Sequence, residues 1–163
     1  MTTLNNLRNN DEYYTPIKIW QDILHYLPRD KVYIDPFFGD GTNIENLKSL
    51  GLDVVGADLD AFDLLDEIPY DIIITNPAFS KNILIELLFN LDALQKPFIL
   101  ILPINKIFSK YFKRSFRSYK DIQIIIPKER MSFIDPTSNK SNPSFVCAYI
   151  CYKMDLPADI LFL

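Results

Sequence analysis

The residues best suited to chemistry in this 163-residue chain lie in one short run, Asn76-Pro77-Ala78-Phe79-Ser80. Asn76 offers a side-chain carbonyl oxygen. Pro77 offers a backbone carbonyl, and its ring fixes φ and so helps to aim that group. Two acceptors side by side suit a nitrogen that carries two hydrogens. An exocyclic amine on an aromatic ring is a poor nucleophile because its lone pair is delocalised into the ring. Gripping both hydrogens favours the more tetrahedral nitrogen, which can attack an electrophile. Phe79 adds a face on which a base turned out of its helix can stack, worth ~1–3 kcal/mol per base. Ser80 adds a hydroxyl beside it. The same letters at random would form only a turn, so their weight depends on where the fold puts them.

Two more segments carry polar groups in a suggestive pattern. In Asp35-Pro36-Phe37-Phe38-Gly39-Asp40-Gly41-Thr42, two glycines lie two residues apart, directly after a predicted strand and before a predicted helix. Such glycines let the backbone turn sharply and approach a ligand closely. The run lacks the third glycine of a dinucleotide fingerprint, and no Gly-Lys-Ser/Thr follows, which excludes a P-loop. The acidic Asp35 disfavours a phosphate and suits a cationic or amine-bearing ligand. In Gly56-Ala-Asp58-Leu-Asp60, a carboxylate at a strand end is placed to hold ribose hydroxyls, with Asp58 best placed. Asp63 is positioned to accept from an adenine amine.

The elements that must carry these residues can be read from periodicity. Ile17 to Leu27 has helical apolar spacing and ends at Pro28. Apolar runs predict strands at 31–35, 53–57, 70–75, 96–102, 121–126 and 144–152. Helices are expected over 43–50 and 81–94, and a basic, aromatic helix or helix-loop over 106–119. The Pro-, Asn- and Ser-rich stretch 127–143 reads as a long loop. The tail Ile160-Leu-Phe-Leu163 fits packing on the core or on a second subunit equally well. Strands that alternate with helices and read as continuous apolar runs imply an α/β fold with a mostly parallel sheet covered on both faces. In such sheets ligands bind beyond the carboxyl ends of the strands. Asp35 to Thr42 and Asn76 to Ser80 both fall there.

Composition narrows the class further. With 48% apolar residues the chain is globular, and its length suits one domain over 1–163, with 1–10 expected to be flexible. No apolar run reaches the ~18 residues of a membrane span, and Met1 to Asn10 lacks the apolar core of a signal peptide. A cytoplasmic protein without a membrane partner is expected. Cys147 and Cys151 stand in an apolar run without nearby ligating partners, so they read as reduced core thiols and no metal site is expected. His25, the single histidine, reads as a helix-surface residue. The net charge of −4 is unevenly spread: residues 1–104 carry −9, 105–140 carry +6 and 141–163 carry −1. A basic block inside an acidic chain suggests contact with a polyanion. Lys106, Lys110, Lys113, Arg114, Arg117 and Arg130 are the candidate phosphate contacts.

These motifs together resemble the Rossmann-like, S-adenosylmethionine-dependent N6-adenine DNA methyltransferases. The order is similar to the γ type: Tyr13-Tyr14-Thr15-Pro16 first, then the Gly-rich motif, then the Asn-Pro-Pro-aromatic motif. The resemblance covers roughly residues 11 to 150 and extends to minimal methyltransferase-like proteins of phages and large DNA viruses. It implies a three-layer sandwich with an antiparallel C-terminal strand, and a host cytoplasm as location if the source is viral. It implies S-adenosylmethionine as cofactor, held by Tyr14, Thr15, Pro16, Asp35, Pro36, Phe37, Gly39, Gly41, Asp58 and Asp63, with the Asp35 carboxylate facing the methionyl amine. It implies catalysis by Asn76, Pro77 and Phe79, with Ser80 and the basic residues toward the nucleic acid. Arg130-Met-Ser-Phe133 and Asn142-Pro-Ser-Phe145 resemble segments that flank the target base.

Three departures from that family are visible. Ala78 stands where a second proline is usual. Only Asp58 to Tyr70 separates the second and third predicted strands, which implies a trimmed sheet lacking the strand after Asp58. No separate target-recognition domain is evident, so specificity would come from the 127–143 loop or from a partner protein, and a homodimer is also open. DNA is the expected partner ahead of RNA. Competing readings are a protein glutamine N5-methyltransferase, whose amide poses the same nucleophile problem, and a catalytically weak or inactive subunit that binds nucleic acid. Methylation of cytosine N4 is the fourth reading, although Ser more often than Asn opens the motif in that class.

Overall fold

A computed structural model describes residues 13–37, 39–56, 65–135 and 145–163. Helix α1 (Ile17–Ile23) follows Pro16, buries Ile19, Trp20 and Ile23, and continues as a 3-10 turn over Leu24–Tyr26. Strand β1 (Val32–Asp35) leads through the Gly39 and Gly41 loop into α2 (Thr42–Ser49), and β2 (Asp53–Gly56) follows. Next come β3 (Ile72–Thr75), α3 (Lys81–Leu94) and β4 (Phe98–Pro103). A 3-10 turn over Ile104–Phe108 precedes α4 (Lys110–Ser115), and then come β5 (Ile122–Ile126), β6 (Cys147–Tyr152) and β7 (Ile160–Phe162).

The strands form one sheet in the order β2-β1-β3-β4-β6-β5-β7. Every neighbouring pair is parallel except those of β6, which runs antiparallel to both β4 and β5. Thus β1, β3, β4 and β5 all end on the same side of the sheet, and β6 begins there, with Pro103 paired to Cys147. Among the described residues no strand lies outside β2, and residues 57–64, which follow it, lie outside the described ones.

Alternation along each strand divides the core in two. Ile72, Ile74, Ile99, Ile101, Tyr149 and Cys151 pack with Trp20, Ile23 and Leu47 of α1 and α2. Ile73, Phe98, Leu100, Ile150 and Tyr152 pack with Leu84, Leu87, Leu88 and Phe112 of α3 and α4. Both strand faces are buried, which is why the strands read as unbroken apolar runs. Cys147 and Cys151 are free, buried thiols, each pushed up to about 12 by burial.

Two segments are more definite in the structure than in the sequence. The basic stretch 106–119 breaks into a 3-10 turn and a short helix, because the Ser109 hydroxyl accepts from the Phe112 amide at 3.2 Å and starts a new helix there. The tail is a seventh strand, with β7 added parallel to β5 through the pairs Ile124–Ile160 and Ile126–Phe162. It packs on its own chain through Leu161 and Leu163, while Phe162 remains 80% exposed. No helix of the described residues is long and apolar enough to cross a membrane.

Candidate active site

Strand order brings Asp35, at the end of β1, next to Thr75, at the end of β3. Asp35 is almost fully buried. Its Oδ1 accepts from the Thr75 hydroxyl at 2.6 Å and from the Phe37 amide at 3.0 Å. Its Oδ2 accepts from Asn43 Nδ2 at 2.6 Å, and Asn43 Oδ1 in turn accepts from Trp20 Nε1 at 2.6 Å. All three donors to Asp35 are neutral. Burial pushes its carboxyl up to about 6 despite them, because solvent is removed and no cation replaces it. The sequence suggested a carboxylate presented to a ligand; the structure places it in a knot that ties β1, β3, α2 and α1 together. A carboxylate has roughly four lone-pair positions, and these three bonds leave one acceptor position for a ligand.

The glycine loop stands over this knot. Gly39 and Gly41 have φ of 55° and 86°, the left-handed region where L side chains are strained. Among the described residues a Cβ built on Gly39 would meet nothing within 4 Å, and Gly41 forms the N-cap of α2. Pro36 is buried and Phe37 half-buried beneath it.

Asn76 and its neighbours follow β3 directly. Pro77 is buried, while Asn76, Ala78, Phe79 and Ser80 are half-buried. Asn76 Nδ2 donates to Thr15 Oγ1 at 2.9 Å. The other end of that amide, Oδ1, is shielded from solvent and has no hydrogen-bond partner, and the same holds for the Ser80 hydroxyl. Buried polar atoms without partners are rare in folded proteins and are costly to keep. Two of them within five residues, at the ligand end of a parallel sheet, mark a site built to receive polar groups from outside.

Aromatic rings line the same end. Phe79 meets Phe145 edge-on, with centroids 4.9 Å apart, and Tyr13 meets the other side of this group at 5.8 Å from Phe145. Tyr14 forms a backbone bridge with Ile134 from the segment after β5 (N to O 2.9 Å and 3.1 Å in the two directions). That bridge holds Tyr14, Thr15 and Pro16 against the sheet end. Arg130 reaches the Phe145 carbonyl at 3.3 Å.

The basic candidates are not one patch. Lys106, in the 3-10 turn after β4, and Arg130, after β5, stand at the site end. Lys110, Lys113 and Arg114 are exposed along α4, with Lys113 Nζ lying 5.9 Å from the Tyr119 ring centroid. Arg117 is at the opposite end of the sheet, where its Nε pairs with Asp92 Oδ2 of α3 at 2.9 Å. That pairing takes Arg117 out of the expected site cluster. Asp58 and Asp63, and residues 142–144 of the late segment, lie outside the described residues. The sequence reading missed Thr75, Asn43, Asn46 and Trp20 as supports of the site. A polar Asn43 and Asn46 on the inward face of α2 were the available signal. Among the described residues no cluster of His, Cys, Asp or Glu is arranged to hold a metal ion.

No protein-family model and no curated protein matches the sequence. Solved structures do. Precorrin-6y C5,15-methyltransferase from Geobacter metallireducens aligns over 88% of this chain and 93% of its own, with 15% identity and a TM-score of 0.50. A Pyrococcus horikoshii protein described as an RNA methyltransferase aligns over 86% and 85%, with 16% identity and a TM-score of 0.53. A Listeria monocytogenes protein described as a class I S-adenosylmethionine-dependent methyltransferase aligns over 98% and 69%, with 12% identity and a TM-score of 0.53. The fold of this chain is therefore the Rossmann-like three-layer sandwich of the class I methyltransferases.

Proposed function

We propose that this chain transfers a methyl group from S-adenosylmethionine to the exocyclic N6 amine of adenine in DNA. The observation that carries the reading is Asn76 Oδ1, shielded from solvent and unpartnered at the end of β3. A target amine supplies the missing donor. Its second hydrogen falls to the Pro77 carbonyl, which the proline ring holds in direction. Neither acceptor is basic, so their role is to orient the nitrogen and its lone pair, and the proton released after transfer passes to water. Phe79 stacks on the displaced base, and the Ser80 hydroxyl is available to a neighbouring ring nitrogen.

The residues present fit the cofactor. The Gly39–Gly41 loop is open to a close backbone approach. Pro36 and Phe37 precede it in sequence, Thr15 is tied to α2 through Asn46, and Asp58 and Asp63 follow β2 in sequence. Asp35 keeps one acceptor position for an ammonium group, whose charge would also relieve the cost of its burial. When bound, S-adenosylmethionine supplies an electrophilic methyl group on a sulfonium.

A second reading, a methyltransferase-fold subunit that binds nucleic acid without turnover, is favoured by one feature. Asp35 already receives three internal hydrogen bonds, so less of it faces a ligand than the resemblance implies. Labelled S-adenosylmethionine offered with single-stranded DNA, duplex DNA, RNA and a Gly-Gly-Gln peptide separates the readings. Incorporation into adenine of DNA is expected; label in the peptide alone sinks the proposal, and cofactor binding without transfer to any acceptor favours the subunit. Asn76→Ala should lower kcat by ~10²–10³-fold, the usual loss for one preorganised transition-state contact. Its folding should stay close to wild type, since only the Thr15 bond is lost.

A further inference from the structure

We infer that Thr15 is a positioning residue that holds the Asn76 amide by its NH₂ end, with the acceptor end left toward the target, an inference that rests on the methyl-transfer reading above. An amide side chain has a donor end and an acceptor end of nearly equal size. Only the acceptor end is useful to an amine that arrives with two hydrogens. With the NH₂ end inward, donor would meet donor. The orientation therefore decides whether the site works.

Thr15 takes the NH₂ end. Its Oγ1 accepts from Asn76 Nδ2 at 2.9 Å across 61 positions of sequence, which leaves Oδ1 as the buried free acceptor. Thr15 is itself 6% exposed. Its carbonyl accepts from Asn46 Nδ2 of α2 at 3.4 Å. Its neighbour Tyr14 is paired through both backbone hydrogen bonds with Ile134. Pro16, on the other side, starts α1. The backbone around Thr15 is thus held from three directions, by α1, α2 and the segment after β5. The leading segment in turn holds the asparagine of the proposed catalytic motif.

The test compares Thr15→Val, which keeps the shape and removes the acceptor, with Thr15→Ser, which restores a hydroxyl. Two readouts are taken on the full chain. The first is hydrogen exchange and chemical shift of the Asn76 side-chain NH₂ pair in a ¹⁵N–¹H spectrum, identified by its loss in Asn76→Ala. The second is kcat, for methyl transfer to DNA, alongside Kd for S-adenosylmethionine. In Thr15→Val we expect the Asn76 pair to shift and exchange faster. We expect kcat to fall about tenfold, with Kd for the cofactor unchanged, and Thr15→Ser to recover most of both. An unchanged Asn76 pair in Thr15→Val overturns the inference. So does a weakened cofactor Kd with kcat intact, which would make Thr15 a cofactor contact. If the wild-type chain transfers methyl to no acceptor, the functional reading fails, while the spectrum still decides the Thr15 contact by itself.

Discussion

The two ends of the sheet each hold a buried carboxylate with three hydrogen-bond donors, and the two respond in opposite directions. At the carboxyl end, Asp35 receives Phe37 N, Thr75 Oγ1 and Asn43 Nδ2, all neutral, and burial drives its carboxyl up to about 6. At the amino end, Asp92 receives the Arg117 and Ser118 amides at 2.8 and 3.3 Å and Arg117 Nε at 2.9 Å. Burial pushes Asp92 up too, but the Arg117 guanidinium and the two amides outweigh it and hold its carboxyl below the usual carboxylate range. A cation, charge-assisted amide contacts and shallower burial together reverse the sign. Around Asp92 other groups are also satisfied: Gln95 Nε2 donates to the Asp92 carbonyl at 2.8 Å, and the Tyr152 hydroxyl donates to Gln95 Oε1 at 2.8 Å. Around Asp35 the nearby Asn76 oxygen and Ser80 hydroxyl are left without partners. Around Asp92 the polar groups are paired within the chain; around Asn76 and Ser80 they are left for what binds there.

The largest effect that would test this contrast is the pH dependence of stability contributed by Asp35. Its carboxyl titrates at about 6 in the folded protein and at ~3.9 in the unfolded chain. The folded state binds more protons between those values, so stability falls as pH rises from about 4 to about 6. The total is on the order of 3 kcal/mol. Urea unfolding at half-unit pH steps measures it, and Asp35→Asn should flatten that part of the curve. A wild-type curve already flat there would place a charge beside Asp35 and dissolve the contrast.

Asp92→Asn should cost about 2 kcal/mol at pH 7, by weakening charge-assisted hydrogen bonds. The sign with pH is opposite to that of Asp35. The depressed Asp92 contributes stability above its unfolded value of ~3.9, and this is lost as pH falls through its lower folded value. Acid unfolding of Asp92→Asn should therefore lack the wild-type loss below about pH 4. If the variant matches wild type at pH 7, the amino end is not held as described.

The smallest effect concerns nucleic-acid binding. Lys106→Ala and Arg130→Ala should each reduce the slope of log K against log salt by ~0.9 on duplex DNA, one phosphate contact apiece. Arg117→Ala should leave that slope unchanged, because Arg117 belongs to the far end. Fluorescence titration of a labelled duplex at several salt concentrations decides it, and an equal loss from Arg117→Ala would join the two ends into one surface.

The sequence by itself determined the α/β class, the parallel strands and the position of Asn76 and the glycine loop at strand ends. Both signals are local: buried strands must be apolar on both faces, and Gly39, Gly41 and Pro77 constrain their own backbone. The strand β7 was not legible, since three residues with Ile160 and Phe162 exposed become a strand only when β5 supplies the hydrogen bonds. Nor could the charge pattern separate Arg117 from Lys106, because the chain crosses from one sheet end to the other within eleven residues. Only the tertiary structure decided that Asp35 is enclosed by Thr75 and Asn43, and that Thr15 holds the Asn76 amide. The reason is physical: a hydrogen bond between side chains 40 or 61 positions apart depends on strand order and helix docking, which no local pattern encodes.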